Sequence, residues 1–232
     1  PGWLALGWLE ASRRKQGGVL GADLARLHSQ VLSEPGWQRP CFIGPLPQDN
    51  RPIAAEEDRS AILPTGHTDQ RAGSPGQRTD SPGVAWARFW VERRLRPMTR
   101  RASGTLGHAG VEVMEQVCAR CSALIEDLPA IAPLHGDLWG GNVLWAEDGP
   151  VLIDPAVYGG DPDVDLAMMA LFGGFDADVW AAYHRVHERR AGFETRQALY
   201  QLWPLLVHVV LFGGGYVGGV MRNARVVLGA VG

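Results

Sequence analysis

The spacing of apolar positions predicts a chain dominated by helices. Leu20, Leu24, Leu27 and Val31 fall on one face of a helix over residues 17–32. Further helical patterns cover residues 84–98, 108–127, 163–171, 176–190 and 194–211. Residues 143–145 and 150–154 instead predict two short strands, joined by the turn sequence "AEDG". We therefore expect an α+β, mostly helical fold with one small β-hairpin.

Residues 51–83 interrupt this pattern. They are polar, contain proline and glycine, and have almost no aromatic or periodic apolar content. Such a segment buries too little surface to offset the entropy lost on ordering. Helical patterning resumes directly after it, so the sequence predicts a disordered insertion within a single domain, 1–232. The preceding residues, 36–50, are broken by proline and glycine and predict an ordered loop.

One uncharged stretch, from Gln197 to Met221, is long enough to span a bilayer. It contains Pro204, His208 and the run "FGGGYVGG", with five glycines in its second half. These residues favour a buried helix that ends in a glycine loop.

Composition narrows the class of protein. The net charge of −3 gives no broad basic surface for nucleic acid or an anionic membrane. Three cysteines in 232 residues suit a reducing cytoplasm, and no basic region precedes the first apolar run as in a signal peptide. Cys118 and Cys121 have C-x-x-C spacing inside a helical pattern, without a second pair to complete a zinc site.

The stretch "LHGDLWGGNVLW", residues 134–145, carries the candidate chemistry. Asp137 is followed five residues later by Asn142, and Asp154 ends the second predicted strand. A tight hairpin brings strand ends together, so these three side chains can converge. Two carboxylates and an amide oxygen suit Mg²⁺, which also takes substrate phosphates as ligands. Phosphoryl transfer needs this set, with one carboxylate orienting the attacking hydroxyl.

The spacing matches the catalytic loop of kinases, H-R-D-x-x-x-x-N, followed by a metal-binding aspartate. Gly136 stands in place of the arginine, as in kinases of small molecules. We expect His135 to orient the loop through hydrogen bonds. Asp165, at the start of a predicted helix, is either a helix cap or a brace hydrogen-bonded to the loop.

Several segments together resemble the fructosamine kinase (ketosamine 3-kinase) family. They are "FIGPLPQDN", "WARFWVERRLRPM", "LHGDLWGGNVLW", "VLIDPAVYGGDPDVDLAMMALFGGF" and "YQLWPLLVHVVLFGGGY". The resemblance implies a protein-kinase-like fold related to aminoglycoside phosphotransferases, and ATP-dependent phosphorylation of the sugar 3-hydroxyl of a ketosamine. It implies Asp137 as the catalytic base and Asn142 and Asp154 as Mg²⁺ ligands. "LALGWLE" resembles the hinge between the two lobes, where the backbone of Trp8, Leu9 and Glu10 would meet adenine.

The position of lysine departs from this family pattern. A kinase of this fold holds the ATP phosphates with a lysine in its first lobe. Lys15 is the only lysine in the chain and follows the hinge-like segment. We expect that the chain corresponds to the C-terminal lobe and has little or no activity alone. The alternatives are a kinase of the aminoglycoside or choline class and a non-catalytic, pseudokinase-like binding module.

Substrate contacts are open to two interpretations. Trp139, Phe212 and Tyr216 either line a sugar or amine pocket or pack in the core. Asp161 and Asp163 either receive a substrate ammonium or are solvated loop residues.

A G-x-G-x-x-G pattern, formed by Gly213, Gly215 and Gly218, suggests a dinucleotide-binding alternative. That alternative fails because no Asp or Glu follows in the remaining residues. The sequence leaves open which ketosamine is used, whether it is free or protein-bound, and the oligomeric state.

Overall fold

The computed structural model describes residues 8–53 and 80–230. Seven α-helices occur in this part of the chain: α1 Gly17–His28, α2 Pro82–Phe89, α3 Arg96–Ile125, α4 Asp163–Phe172, α5 Ala177–His184, α6 Phe193–Phe212 and α7 Val217–Gly229. A π-helical segment, Trp90–Leu95, joins α2 to α3. Six short strands form three antiparallel pairs: β1 Cys41–Ile43 with β2 Leu46–Gln48, β3 Ala132–Leu134 with β6 Tyr158–Gly160, and β4 Val143–Ala146 with β5 Gly149–Leu152.

The mostly helical α+β fold and the β4–β5 hairpin are confirmed. The hairpin closes at Ala146 opposite Gly149, in agreement with the predicted turn. Its second strand ends at Leu152 rather than at residue 154, because Asp154 leaves the extended conformation with φ of +50°. Helix α1 ends at His28, and α5 ends at His184, so both are shorter than their apolar spacing suggested.

The core forms around two sets of helices. The larger cluster packs α2, the π-helical segment, α3, α6 and α7 around the buried rings of Trp86, Trp90 and Trp203. The smaller cluster joins α1, α4 and α5 through Leu24, Leu166 and other apolar residues. The β3–β6 pair connects the clusters, since Leu134 and Tyr158 are buried in the larger one and the loop after Leu134 reaches the smaller one at Leu138.

The uncharged stretch contains two helices rather than one helix and a loop. Helix α6 is largely buried and is capped by Gly213, whose φ of +88° favours glycine. Helix α7 follows and buries Val220, Ala224 and Val227, which share one face. Among the residues described, no helix is apolar over a sufficient length to traverse a bilayer.

Two predictions concerned the connecting segments: one is wrong, and the other is largely untested. The predicted loop at 36–50 contains the β1–β2 hairpin. The predicted insertion, 51–83, falls mostly on 54–79, which lie outside the described residues. Its end is helical, because α2 begins at Pro82 and the Ser81 hydroxyl caps it by accepting a hydrogen bond from the Val84 N–H at 3.3 Å.

Candidate active site

Asp137 lies in the loop that connects β3 to β4, directly before a short 3₁₀ turn, Gly140–Asn142. The Asn142 side-chain amide donates hydrogen bonds to the Asp137 backbone oxygen at 2.8 Å and to its carboxylate Oδ2 at 3.2 Å. Both amide hydrogens are thus used, while Oδ1 of Asn142 accepts no hydrogen bond from the residues that the structure describes. An amide oxygen oriented in this way is a suitable ligand for Mg²⁺.

Asp154 follows β5 and is held beside the same loop. His135 contacts the chain on both sides of it: its Nε2–H donates to the Ile153 oxygen at 3.0 Å, and its backbone oxygen accepts from the Ala156 N–H at 2.8 Å. The Ile153 N–H donates to the backbone oxygen of Asn142 at 3.0 Å. Asp154 itself is exposed, and its carboxylate has no hydrogen-bond or ion-pair partner within the described ranges. It is therefore available to a cation.

Gly136 fits a position that no other residue can occupy without strain. Its φ is +80°, and a Cβ at this position would lie 2.2 Å from the Ala156 oxygen. The loop thus crosses the segment after Asp154 at backbone contact distance. This close approach accounts for glycine at the position where protein kinases have arginine.

Asp165, in the first turn of α4, is buried beneath the loop. Its Oδ2 accepts the His135 N–H at 2.7 Å, and its Oδ1 accepts the Gly136 N–H at 2.9 Å. His28, from α1, lies 3.3 Å from Oδ2 and contacts the Tyr183 hydroxyl at 2.9 Å. Burial raises the pKa of Asp165, but the hydrogen bond and charge of His28, with His135 and the Gly136 N–H, leave that pKa below its usual value. Of the two roles considered for Asp165, helix cap and brace, these hydrogen bonds correspond to the brace. His28 was not predicted, because nothing local in α1 indicates its partner.

The carboxylate of Asp137 is more basic than an ordinary aspartate. Burial raises its pKa, and the charge of His135 and the hydrogen bond from Asn142 offset only part of this effect. A carboxylate with a raised pKa is better suited to accept a proton.

Asp137 opens on a cavity of about 360 Å³ with a mainly apolar lining. The lining comprises Ile43, Gly44, Asp137, Trp139, Phe172, Val207, His208, Leu211 and Phe212. Two of the predicted substrate residues, Trp139 and Phe212, are thus brought together with the predicted base. Phe212 is 66% exposed, which argues against a purely structural role.

His208 organises the aromatic side of this cavity and was not predicted. Its ring centroid lies 5.0 Å from that of Phe172, 5.3 Å from Phe212 and 4.8 Å from Tyr216. Tyr216 therefore lies next to the cavity, because it contacts His208, which lines it. The Nδ1–H of His208 donates to the Pro204 oxygen at 2.8 Å, which leaves Nε2 as a potential acceptor. In the sequence, a single histidine within an apolar helix does not indicate a functional role. Only its four-residue spacing to Phe212 places the two side chains on the same helical face.

Asp161 and Asp163 do not lie at this cavity. Asp161 is fully buried and accepts hydrogen bonds from Arg190 at 2.6 Å and from the Tyr200 hydroxyl at 2.7 Å. Asp163 is bonded to Arg190 at 2.7 Å and to Arg196 at 2.9 Å. Both carboxylates are buried and bonded to arginines of the chain, so both interpretations are wrong: the two residues form a structural ion-pair network and neither face a substrate ammonium nor are solvated.

The predicted hinge residues lie at the far end of the hairpin. The backbone oxygen of Glu10 accepts the Glu147 N–H at 3.2 Å, and the Ser12 N–H donates to the backbone oxygen of Trp145 at 2.7 Å. Trp8 and Leu9 are exposed, at 86% and 40%. The adenine contact assigned to Trp8, Leu9 and Glu10 stays a prediction.

Comparison with known proteins identifies the family. The model of the fructosamine kinase family matches residues 67–229. A probable ketoamine kinase of Synechocystis is 36% identical over 222 residues, covering 92% of this chain and 63% of the relative. The mouse ketosamine-3-kinase is 38% identical over 145 residues, covering 60% of this chain and 46% of the relative. The chain thus spans less than two thirds of the length of either relative.

Solved structures share the fold. A candidate fructosamine-3-kinase from Thermobifida fusca superposes with a TM-score of 0.77 at 35% identity, covering 95% of this chain and 68% of that one. A second from Haemophilus somnus, at 21% identity, has a TM-score of 0.70 over 95% of this chain and 66% of its own, which supports the fold alone. Because the family model matches more than half of the residues of this chain, the chain belongs to the fructosamine kinase family.

Proposed function

We propose that this chain contributes the catalytic loop and substrate cavity for ATP-dependent phosphorylation of the sugar 3-hydroxyl of a ketosamine. The observation that carries the proposal is the position of Asp137, whose carboxylate meets Asn142 on one side and an aromatic-lined cavity on the other. The names of the relatives, ketoamine kinase and ketosamine-3-kinase, support this substrate class.

Asp137 acts as the base in this proposal. Its carboxylate accepts the proton of the substrate hydroxyl as that oxygen bonds to the γ-phosphorus of ATP and the bond from phosphorus to the departing ADP oxygen breaks. Asn142 holds the carboxylate in place through its hydrogen bond. Oδ1 of Asn142 and the exposed carboxylate of Asp154 would hold Mg²⁺, which when bound offsets charge on the phosphate oxygens.

The cavity lining suits a ketosamine. Aromatic faces contact the apolar side of a sugar ring and attract a protonated amine. Trp139 and Phe212 provide such faces in the lining, and Tyr216 lies next to it against His208. The free Nε2 of His208 can accept a hydrogen bond from a sugar hydroxyl. A volume of about 360 Å³ admits a small sugar adduct.

We also infer that the 232 residues alone transfer phosphate slowly. Their only lysine, Lys15, lies 3.5 Å from the exposed carboxylate of Asp176, before α1. A lysine engaged there does not hold the phosphates of ATP beside Asp137.

The test is a single-turnover assay, with the chain in excess over a ketosamine so that slow transfer is measurable. Asp137→Asn should lower the rate of phosphate transfer from labelled ATP by about 10² to 10⁴-fold, the usual contribution of a general base. Asp148→Asn, at the exposed hairpin turn, is the matched control and should retain the rate. NMR of the product identifies the phosphorylated hydroxyl.

Substrate binding provides a readout that does not need turnover. A ketosamine should change the intrinsic tryptophan fluorescence of the chain through its contact with Trp139. Phe212→Ala should weaken that response, while Phe42→Ala, at an exposed strand outside the cavity lining, should not. Equal rates in Asp137→Asn and Asp148→Asn would refute the assignment of the base. Binding of a ketosamine without transfer under any condition would leave a non-catalytic binding module as the function.

A further inference from the structure

A second cavity, of about 290 Å³, lies beside the β1–β2 hairpin. It is bounded by that hairpin, by the π-helical segment and by the first turns of α3. Ile43 lines both cavities, so the hairpin is their common wall. We refer to this second cavity as the arginine groove, after the residues that line it.

Four arginines line the groove: Arg93, Arg94, Arg100 and Arg101. Arg100 and Arg101 lie in the first two turns of α3. The π-helical segment Trp90–Leu95 contains Arg93 and Arg94. Such segments are frequent at functional sites. In a chain with a net charge of −3, this is a marked local concentration of positive charge.

The acidic residues at the groove are already engaged by arginines. Asp49 bonds to Arg51 at 2.8 Å and lies 3.4 Å from Arg93. The hydrogen bond from Arg51 lowers the pKa of Asp49 to about 2. Glu92 pairs with Arg96, which is not part of the lining. With four arginines and two carboxylates, the lining has a formal net charge of +2.

Arg100 and Arg101 have no such partner. Both are exposed, and neither forms a hydrogen bond or an ion pair with residues 8–53 or 80–230. Arg94 is fully buried, with its guanidinium 4.2 Å from the Tyr158 ring. Its terminal N–H groups donate to the Asp49 backbone oxygen at 3.0 Å and to Asn50 Oδ1 at 2.7 Å, and only its Nε–H is a buried donor without an acceptor in the described chain. The groove therefore combines a fixed buried guanidinium with two that are free to close on a ligand.

We propose that the arginine groove binds a small phosphate monoester. Its net charge of +2 matches the charge of −1.5 to −2 that a phosphate monoester has near pH 7. Guanidinium groups bind phosphate through paired, charge-assisted hydrogen bonds. Trp203, Pro47 and Met98 supply an apolar side for the organic part of the ligand. The volume suits a compound of a few carbon atoms rather than a nucleotide.

Isothermal titration of the 232-residue chain with glycerol phosphate and with inorganic phosphate, without ATP or ketosamine, tests the proposal at constant ionic strength. We expect one site per chain, with the monoester bound more tightly. The double variant Arg100→Gln/Arg101→Gln should bind the monoester at least about tenfold more weakly, since it removes two charge-assisted contacts. Arg185→Gln/Arg225→Gln removes the same charge from exposed positions outside the groove and should bind like the parent chain.

A second measurement uses the unsubstituted chain, so its result does not depend on whether the variant folds. Glycerol phosphate should shift the guanidinium Nε–H resonances of Arg100 and Arg101, but not those of Arg185 and Arg225. Absence of binding, equal weakening in both double variants, or equal affinity for succinate would overturn the proposal. None of these outcomes depends on phosphate transfer, so failure here is distinct from failure of the proposed function.

Discussion

At the scale of single residues, Gly136 makes the geometry of the catalytic loop testable through stability. Gly136→Ala places a methyl group against the Ala156 oxygen at a positive φ, and should lower the free energy of unfolding by about 3 kcal/mol. Gly173→Ala is the matched control, because φ there is +70° but a Cβ meets no atom within 4 Å. It should cost about 1 to 2 kcal/mol. Urea denaturation measures both, and equal losses would contradict the proposed contact.

The buried thiols provide a second residue-scale prediction. Burial raises the pKa of Cys118 to about 12 and that of Cys121 further still. At pH 8 the thiolate of Cys118 is then roughly a thousandfold rarer than for a thiol of ordinary pKa. In the folded chain, iodoacetamide should modify the half-buried Cys41 first, while all three cysteines should react in guanidinium chloride. Mass spectrometry of timed samples resolves the order, and labelling of Cys118 as fast as Cys41 would contradict its burial.

At the scale of elements, the contact of α4 with the catalytic loop predicts an effect of pH on stability. The pKa of Asp165 is lower in the folded chain than its unfolded value of about 3.9. Its contribution is therefore present above about pH 4 and is lost as the pH falls through the folded pKa. Burial raises the pKa of Asp161, whose effect has the opposite sign, so a variant is needed to separate them.

Asp165→Asn is that variant. It should lower the free energy of unfolding at pH 7 by about 2 kcal/mol, because an amide cannot accept from both loop N–H groups and His28. It should also reduce the further loss of stability between pH 5 and pH 3. Thermal denaturation across this range, with Asp148→Asn as the control that retains the parent slope, measures the difference. If Asp165→Asn loses as much stability between pH 5 and pH 3 as the parent chain, a group other than Asp165 is responsible for that loss.

The elements differ in how far the sequence predicts them. The β4–β5 hairpin was predicted because its two short apolar runs and its Asp148–Gly149 turn are local signals. Helix α7 was missed because Gly218 and Gly219 near its start mask a short apolar face. The β3–β6 pair has only three residues in each strand and two glycines in the second, so local pattern carries little information. His28 and His208 contribute through helices distant in sequence, and only packing brings them to the loop and the cavity.

At the scale of the whole molecule, the position of Lys15 predicts the activity of the isolated chain. With ATP, Mg²⁺ and a ketosamine, the 232 residues should turn over at least about 10³-fold more slowly than a full-length relative, because electrostatic clamping of the phosphate is a large part of catalysis in such enzymes. Steady-state phosphate transfer, measured beside the Synechocystis relative, gives the ratio. Lys15→Gln should not change the residual rate, and comparable turnover of the two proteins would refute the inference.

The buried carboxylate of Asp165 also determines when the loop can take its shape during folding. Its partners lie 30 residues earlier, at His135, and 137 residues earlier, at His28. Contacts so distant along the chain form only after large loops have closed, which slows their formation. We therefore expect the loop with Asp137 to become fixed only after the first and fourth helices have docked. In the proposed function, the base would therefore reach its position only in this late step of folding.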